Sequence, residues 1–328
     1  MKGTLPCAIV RDLLPSYIEG LTEPETTAAV KEHLDTCADC RKRYEAMHEA
    51  EDMPDTQKEI DYLKTVRRKN RKKVLFSVLA AAALILTVVC VKLFWIGKPC
   101  DGISLYMNTE LTEDGSALIV EMDEMNAGFA MRGVQMETEG DMVRITARET
   151  LAVPFGGGSF TTWTVPLDGI RKVEVCGVPV WQDGLMIDFH TNRLMNAKVT
   201  YVGDAPAMGQ LLSAMDLDAP GKLELQTAQE PYGAAIHFSE AINENRRFLM
   251  EGNAYILLAL VDNLGKVQWD DPSRYTDSLT LEQADAALPG LVEQYNTVHG
   301  TDLVPLPSVK DYGADSYSLQ ILRNILGI

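Results

Sequence analysis

The stretch HLDTCADC, His33 to Cys40, places a histidine four residues before one cysteine and a second cysteine three residues after that. A C-x-x-C pair is a redox couple or part of a metal clamp, and its neighbours decide between the two. One more cysteine lies upstream, giving the order Cys7, His33, Cys37, Cys40. Three thiolates and one imidazole suit tetrahedral zinc, Zn2+, in a closed structural site, because four protein ligands leave no coordination position for a substrate. Redox chemistry stays compatible with this reading, since an oxidant that joined two of the thiolates would eject the metal.

The residues around these ligands predict helices. LTEPETTAAVKEHLDTC, Leu21 to Cys37, opens with Thr22 and Glu25 at capping-box spacing and has Pro24 in the first turn. Val30, His33, Leu34 and Cys37 follow at i, i+3, i+4 and i+7, one face of a helix, with Cys40 a turn later. Upstream, Val10, Leu13, Leu14, Tyr17, Ile18 and Leu21 form a second apolar stripe with Gly20 near its C-cap. Pro15 either sits in the first turn of a helix starting near Asp12 or kinks a longer one. Two such short helices bury too little surface to be stable alone, so a bound metal would supply folding free energy.

The rest of the 328 residues splits into two environments. Residues 1–96 carry a net charge of +1 and residues 97–328 a net charge of −18. Between them runs VLFSVLAAAALILTVVCVKLFWI, Val74 to Ile96, without a charge until Lys92. At about 1.5 Å per residue it spans roughly 34 Å, enough to cross a hydrocarbon layer about 30 Å thick. A buried core helix of that length would show a polar face, and a signal peptide would have its apolar core nearer the N-terminus. RRKNRKK, Arg67 to Lys73, packs six positive charges before the span, which predicts a cytoplasmic N-terminus and an extracytoplasmic C-terminal part. The basic run reads as a lipid-facing anchor rather than a nucleic-acid site.

Beyond the span, residues 97–195 read as β-rich. Segments of Val, Ile, Thr and aromatics alternate with turn chemistry in TEDGSALIV, ETEGDMVRITA, PFGGGSF and VPVWQDGLMI, suggesting a small sandwich or twisted antiparallel sheet. Gly156 to Ser159 lacks the GK[ST] ending of a phosphate loop and reads as a hairpin. Residues 196–328 read as α+β: a strand in AKVTYVG, a helix capped by Asp204, a buried central strand over Ala254 to Asp262, and helices over Leu281 to Tyr295 and Ser316 to Leu326. The chain holds no G-x-S-x-G, S-x-x-K or H-E-x-x-H, and His190, His237 and His299 are far apart in sequence, so a non-enzyme is expected. Cys100 and Cys176 lie where a disulfide is chemically allowed, and the sequence leaves their pairing open.

CAIVRDLLPSYIEGLTEPETTAAVKEHLDTCADCRKRYE, Cys7 to Glu45, resembles the zinc-binding anti-sigma fold, the zinc-finger head of bacterial membrane-anchored anti-sigma factors. That motif is an upstream cysteine followed by H-x3-C-x2-C, and Cys7, His33, Cys37 and Cys40 fill all four positions. The resemblance implies a head that holds an extracytoplasmic-function sigma factor away from RNA polymerase until an envelope signal releases it. Such inhibition needs a helix beyond the zinc site. Arg41 to Val66, with Tyr44, Met47, Ile60, Leu63 and Val66 and a break expected at Met53 and Pro54, reads equally as that wedge or as a solvated spacer. YVGD, LQTAQEPYGAAIHF and NAYILLALVDNLGKVQW, within residues 198–269, resemble an uncharacterised extracytoplasmic domain of bacterial membrane sensors. That resemblance implies a sensory context and supplies no ligand.

The expected architecture is therefore multi-domain: a small all-α zinc-binding head over residues 1–66, a basic juxtamembrane segment over 67–73 and a single transmembrane helix over 74–96. An extracytoplasmic β-rich domain over 97–195 and an α+β domain over 196–328 follow. The expected function is a single-pass membrane anti-sigma factor with an outer sensory part; the alternative is an envelope scaffold or ligand-binding membrane protein whose zinc head is structural only.

Overall fold

Proline at position 6 and glycine at position 20 bracket the first helix, α1 (Cys7–Ile18), in the computed structural model of the chain, which describes residues 5–51, 56–126, 128–152, 160–217 and 221–328. The expected hairpin at Gly156 to Ser159 and the break at Met53 and Pro54 lie outside the described residues, as do the side chains of residues 50–65. The helix runs through Pro15 and ends in a Schellman motif: Gly20, at φ +70°, donates to the Tyr17 carbonyl and Leu21 to the Ser16 carbonyl. A second helix, α2 (Pro24–Thr36), starts with proline at its first position. The expected capping box is absent, because Pro24 sets the boundary and makes Glu23 the N-cap, leaving Thr22 one residue outside, where its hydroxyl meets that of Thr27 at 2.8 Å.

After Cys37 the chain re-enters helix at once as α3 (Ala38–Glu51). Val10, Leu14, Val30, Leu34 and Cys40 form the buried centre of the head, with Leu13, Tyr17, Tyr44 and Met47 packed at its margin. Tyr44 and Met47, two candidates for a wedge, are thus spent on the head's own core, Tyr44 meeting Tyr17 edge to face at 5.8 Å.

A long helix, α4 (Thr56–Val91), follows and closes in a single π turn over Lys92–Ile96. Within Val66–Ile96 the most apolar 18-residue stretch has a mean hydropathy of 2.9 and is not buried, and among the described residues this is the one helix long and apolar enough to cross a membrane.

The β-rich part begins immediately. Strands β1 (Lys98–Pro99), β2 (Leu105–Leu111), β3 (Ala117–Glu124), β4 (Phe129–Glu139), β5 (Met142–Leu151), β6 (Thr161–Pro166), β7 (Lys172–Val175), β8 (Val178–Gln182) and β9 (Leu185–Met186) make two sheets. One has the order β2-β3-β6; in the other, β5 pairs with β4 along one edge and with β1 and β7 along the other, and β8 and β9 continue beyond β7. Leu105, Leu118, Val120 and Met122 from the first sheet face Val143, Ile145, Val173 and Val175 from the second in one shared core, the sandwich that alternating apolar residues build.

Asp188 caps α5 (Phe189–Asn196) and Asp204 caps α6 (Ala205–Ala214). The expected strand before α6 is reduced to a single bridge between Val199 and Val261. A four-stranded sheet follows, β10 (Lys222–Gln226), β11 (Tyr232–His237), β12 (Leu264–Asp270) and β13 (Thr276–Thr280), in that spatial order. The parallel pair β11 and β12 is joined by α7 (Glu244–Leu260). The buried strand expected at Ala254 to Asp262 is therefore corrected: Ala254 to Leu260 form the last turns of α7, and only Val261, just past its end, makes a bridge, to Val199. Ala254 to Leu260 are all buried, because the helix is covered both by the sheet and by α9 (Ser316–Leu326) and the 3-10 turn Val309–Gly313. A helix covered all round loses the polar face that would betray it. The long α8 (Leu281–His299) carries a full capping box between Thr280 and Gln283. The expected boundary at 195/196 falls in the last turn of α5, whose Thr191 hydroxyl meets Gln320 of α9 at 2.6 Å and whose Asn192 donates to the Pro179 carbonyl of β8 at 2.8 Å.

Gly313 packs so tightly against α7 that an added Cβ would lie 2.0 Å from the Ala259 carbonyl oxygen, whereas a Cβ on Gly290 of α8 meets nothing within 4 Å. Gly313→Ala is expected to cost about 2 kcal/mol or more in thermal unfolding of the full chain in detergent, and Gly290→Ala to stabilise by up to about 1 kcal/mol. Equal shifts for the two would show that this close approach does not constrain the fold.

Candidate metal centre

Cys37 is where α2 stops. Its backbone leaves the helical region (φ −110°, ψ 103°) while its N–H still donates to the His33 carbonyl at 2.9 Å. The first amides of α3 then turn toward the Cys37 sulfur, and the Cys40 backbone N–H pulls this thiol down to about 7. Burial pushes the Cys40 thiol up. Cys7 enters from the first turn of α1, so the four residues come from three helices.

Their ligand atoms all lie within 4.8 Å of one another. The sulfurs of Cys7 and Cys37 are 3.8 Å apart, and two sulfurs each about 2.3 Å from one tetrahedral zinc would stand about 3.8 Å apart. His33 is 8% exposed, and its Nε2 is buried with no hydrogen-bond partner among the described residues. An orphaned imidazole nitrogen costs free energy unless something occupies its lone pair. The donor set, the spacing and the orphaned nitrogen together fit zinc, and with four protein donors the site can cross-link helices but leaves no open position for chemistry.

All four residues singled out in the sequence are brought together. Arg41 escaped notice: its Nε donates to the Leu34 carbonyl at 3.0 Å and its Nη2 to the Asp35 carbonyl at 2.6 Å, tying α3 back onto the open end of α2. The signal available was a basic residue one position past the last ligand, where the final carbonyls of the preceding helix need donors. In the C-terminal part the three histidines stay apart. His237 pairs through Nδ1 with Asp270 at 2.8 Å, His190 lies 3.6 Å from Asp216, and His299 stacks on Tyr295.

His33→Ala and Cys40→Ser are each expected to take the metal content of the full-length protein from one zinc per chain to near zero by elemental analysis, with loss of helical circular dichroism from the head on chelation. Cys90→Ser, in the apolar helix, is expected to leave the metal content unchanged. Retention of zinc by both site variants would show that the ion is held elsewhere.

Residues 7–41 match the family described as "Putative zinc-finger", and residues 194–280 match "Domain of unknown function (DUF4825)". Over 45 residues the chain is 47% identical to the Anti-sigma-YlaC factor YlaD of Bacillus subtilis (strain 168), an alignment that covers 14% of this chain and 46% of that relative. The chain thus spans about half the length of the curated relative it matches. No solved structure matches the chain. The chain is thus similar to a zinc-finger family over its N-terminal residues and to an anti-sigma factor over 45 residues, and residues 194–280 are similar to a family without assigned function.

Proposed function

We propose that this chain is a single-pass membrane anti-sigma factor. In this reading residues 1–66 are a cytoplasmic head that binds an extracytoplasmic-function sigma factor, 67–73 anchor to lipid headgroups and 74–96 cross the bilayer. Residues 97–195 and 196–328 are outer domains that sense the envelope. The single observation that carries the proposal is the gathered set of three sulfurs and one imidazole inside the zinc-finger match over residues 7–41, in a chain 47% identical over 45 residues to an anti-sigma factor.

Cys7, His33, Cys37 and Cys40 are the proposed ligands. Bound zinc would supply cross-links between helices and no reaction. The chain's own residues do the rest: Arg41 holds α2 to α3, the Schellman turn at Gly20 fixes the reversal between α1 and α2, and Val10, Leu14, Val30 and Leu34 fill the centre. Such a head presents Leu21, 74% exposed, and Ile9, 46% exposed, on a rigid body. Rigid apolar groups of this kind bind a partner without first being ordered. Val74 to Ile96, with Trp95 and Lys92 near its far end, suits a span with interfacial anchors, and the six positive charges before it favour a cytoplasmic N-terminus.

The second reading, a scaffold whose zinc head is only structural, is favoured by the packing of Tyr44 and Met47 into the head itself, which leaves less apolar surface for a wedge. Co-expression separates the two. The full-length chain is expected to co-purify with the product of an adjacent sigma-factor gene and to silence its reporter promoter, and Leu21→Glu to weaken capture at least tenfold without loss of zinc. Absence of both complex and repression would leave the scaffold. Protease added to intact spheroplasts is expected to digest the C-terminal part and spare the head; the reverse pattern would overturn the orientation.

A further inference from the structure

Two of the six cysteines lie on the C-terminal side of the apolar helix and outside the zinc cluster. Cys100 is three residues past Gly97, in the segment that leaves the helix; Cys176 is 76 positions further along, in the turn between β7 and β8. The sheet register makes them neighbours. β1 and β7 pair with the same edge of β5, so that Cys100 N–H donates to the Ala147 carbonyl at 2.9 Å and Cys176 N–H to the Ile145 carbonyl at 2.8 Å, two successive acceptors along one edge. The Gly102 N–H then donates to the Cys176 carbonyl at 3.0 Å. The approach is close enough that a Cβ on Gly102 would stand 2.6 Å from the Val175 carbonyl oxygen.

A second observation concerns the turn. Cys176 and Gly177 form the two-residue connection of the β7–β8 hairpin, both with positive φ, +48° and +88°. Such turns favour Asn, Asp or Gly at the first position, and any other residue there is strained. A cysteine holds this position in spite of the strain, and its sulfur lies against the sulfur of Cys100.

We propose that Cys100 and Cys176 close a disulfide that staples the chain emerging from the apolar helix to the β7–β8 turn of the outer sheet. The inference rests on the reading that residues 97–328 face the outer, oxidising side. Its chemistry is thiol–disulfide exchange with an external disulfide, such as an oxidised thiol–disulfide oxidoreductase. Cys176 is the half-exposed member, and the Cys100 thiol beside it favours its thiolate, drawing it below the usual thiol range while Cys100 is raised by the same contact and by burial. The Cys176 thiolate attacks one sulfur of the external disulfide, forming a mixed disulfide and releasing the first thiolate. Cys100 then loses its proton to solvent and attacks the Cys176 sulfur, expelling the second. The protein dithiol is oxidised by two electrons, the external disulfide is reduced by two, and the two protons end on the released thiols.

What the staple would hold is already a dense joint. Gly97, at φ +65°, lies where a Cβ would be 2.2 Å from the Glu149 carbonyl oxygen. Arg148 of β5 donates through Nε to the Ile96 carbonyl at 2.6 Å and through Nη2 to the Gly97 carbonyl at 3.2 Å, and Lys98 pairs with the buried Glu149 at 3.1 Å. The disulfide would add a covalent link to contacts that otherwise come apart one by one.

The test uses the full-length protein extracted from membranes, unfolded in dodecyl sulfate with chelator, and treated with maleimide-polyethylene glycol. Four of the six thiols are expected to react without reductant and all six after reduction. Cys100→Ser and Cys176→Ser are each expected to show five reactive thiols with or without reductant, because each frees its partner. Six reactive thiols in extracted protein that fall to four once the folded protein is treated with oxidised glutathione would uphold the staple and overturn the outer placement of these domains. Six in both samples, or four in either serine variant, would overturn the staple itself.

Discussion

The head depends on three sulfurs and one imidazole being held within a few ångströms of one another. Among the described residues its buried centre is five side chains drawn from three short helices, far less than a domain needs to fold unaided. Every other feature of the head serves that gathering. The Schellman turn at Gly20 reverses the chain so that Cys7 comes back toward α2, the break at Cys37 lets the second and third thiols meet from two helices, and Arg41 neutralises the carbonyls that the break leaves open. Remove the shared ligand and each of these devices holds together a structure with too little inside it.

Two different cements therefore serve one chain. The C-terminal part has the opposite economy, with a continuous core beneath α7, α8 and α9 and a second core between two sheets. Its stability comes from apolar burial and from pairing between distant strands, so it does not share the sensitivity of the head to chelators or thiol reagents at the metal cluster.

The metal centre was legible because ligand chemistry is local: H-x3-C-x2-C is fixed within eight residues, and one upstream cysteine completes it. The starts of α8 and α9 were legible for a similar reason, since Thr280 with Gln283 and the capping Asp315 announce them, while α8 runs four residues past its expected end at Tyr295. Ala254 to Leu260 misled because burial on every side erased the period that separates helix from strand, and only the fold supplies the covering elements. Thr22 misled by a single position, because Pro24 claimed the first helical turn. The edge of β5 shared by Cys100 and Cys176 was out of reach, as it follows from a register between strands about fifty and thirty residues apart, which no local pattern encodes.

The register of β1 also orders the making of the protein. Lys98 lies opposite Glu149, whereas β2 and β3 meet across a tight local turn. A hairpin can close as soon as both its arms exist, but β1 finds no partner until some fifty more residues have been synthesised. β1 is thus fixed only when β5 arrives, well after the neighbouring hairpin has been able to close.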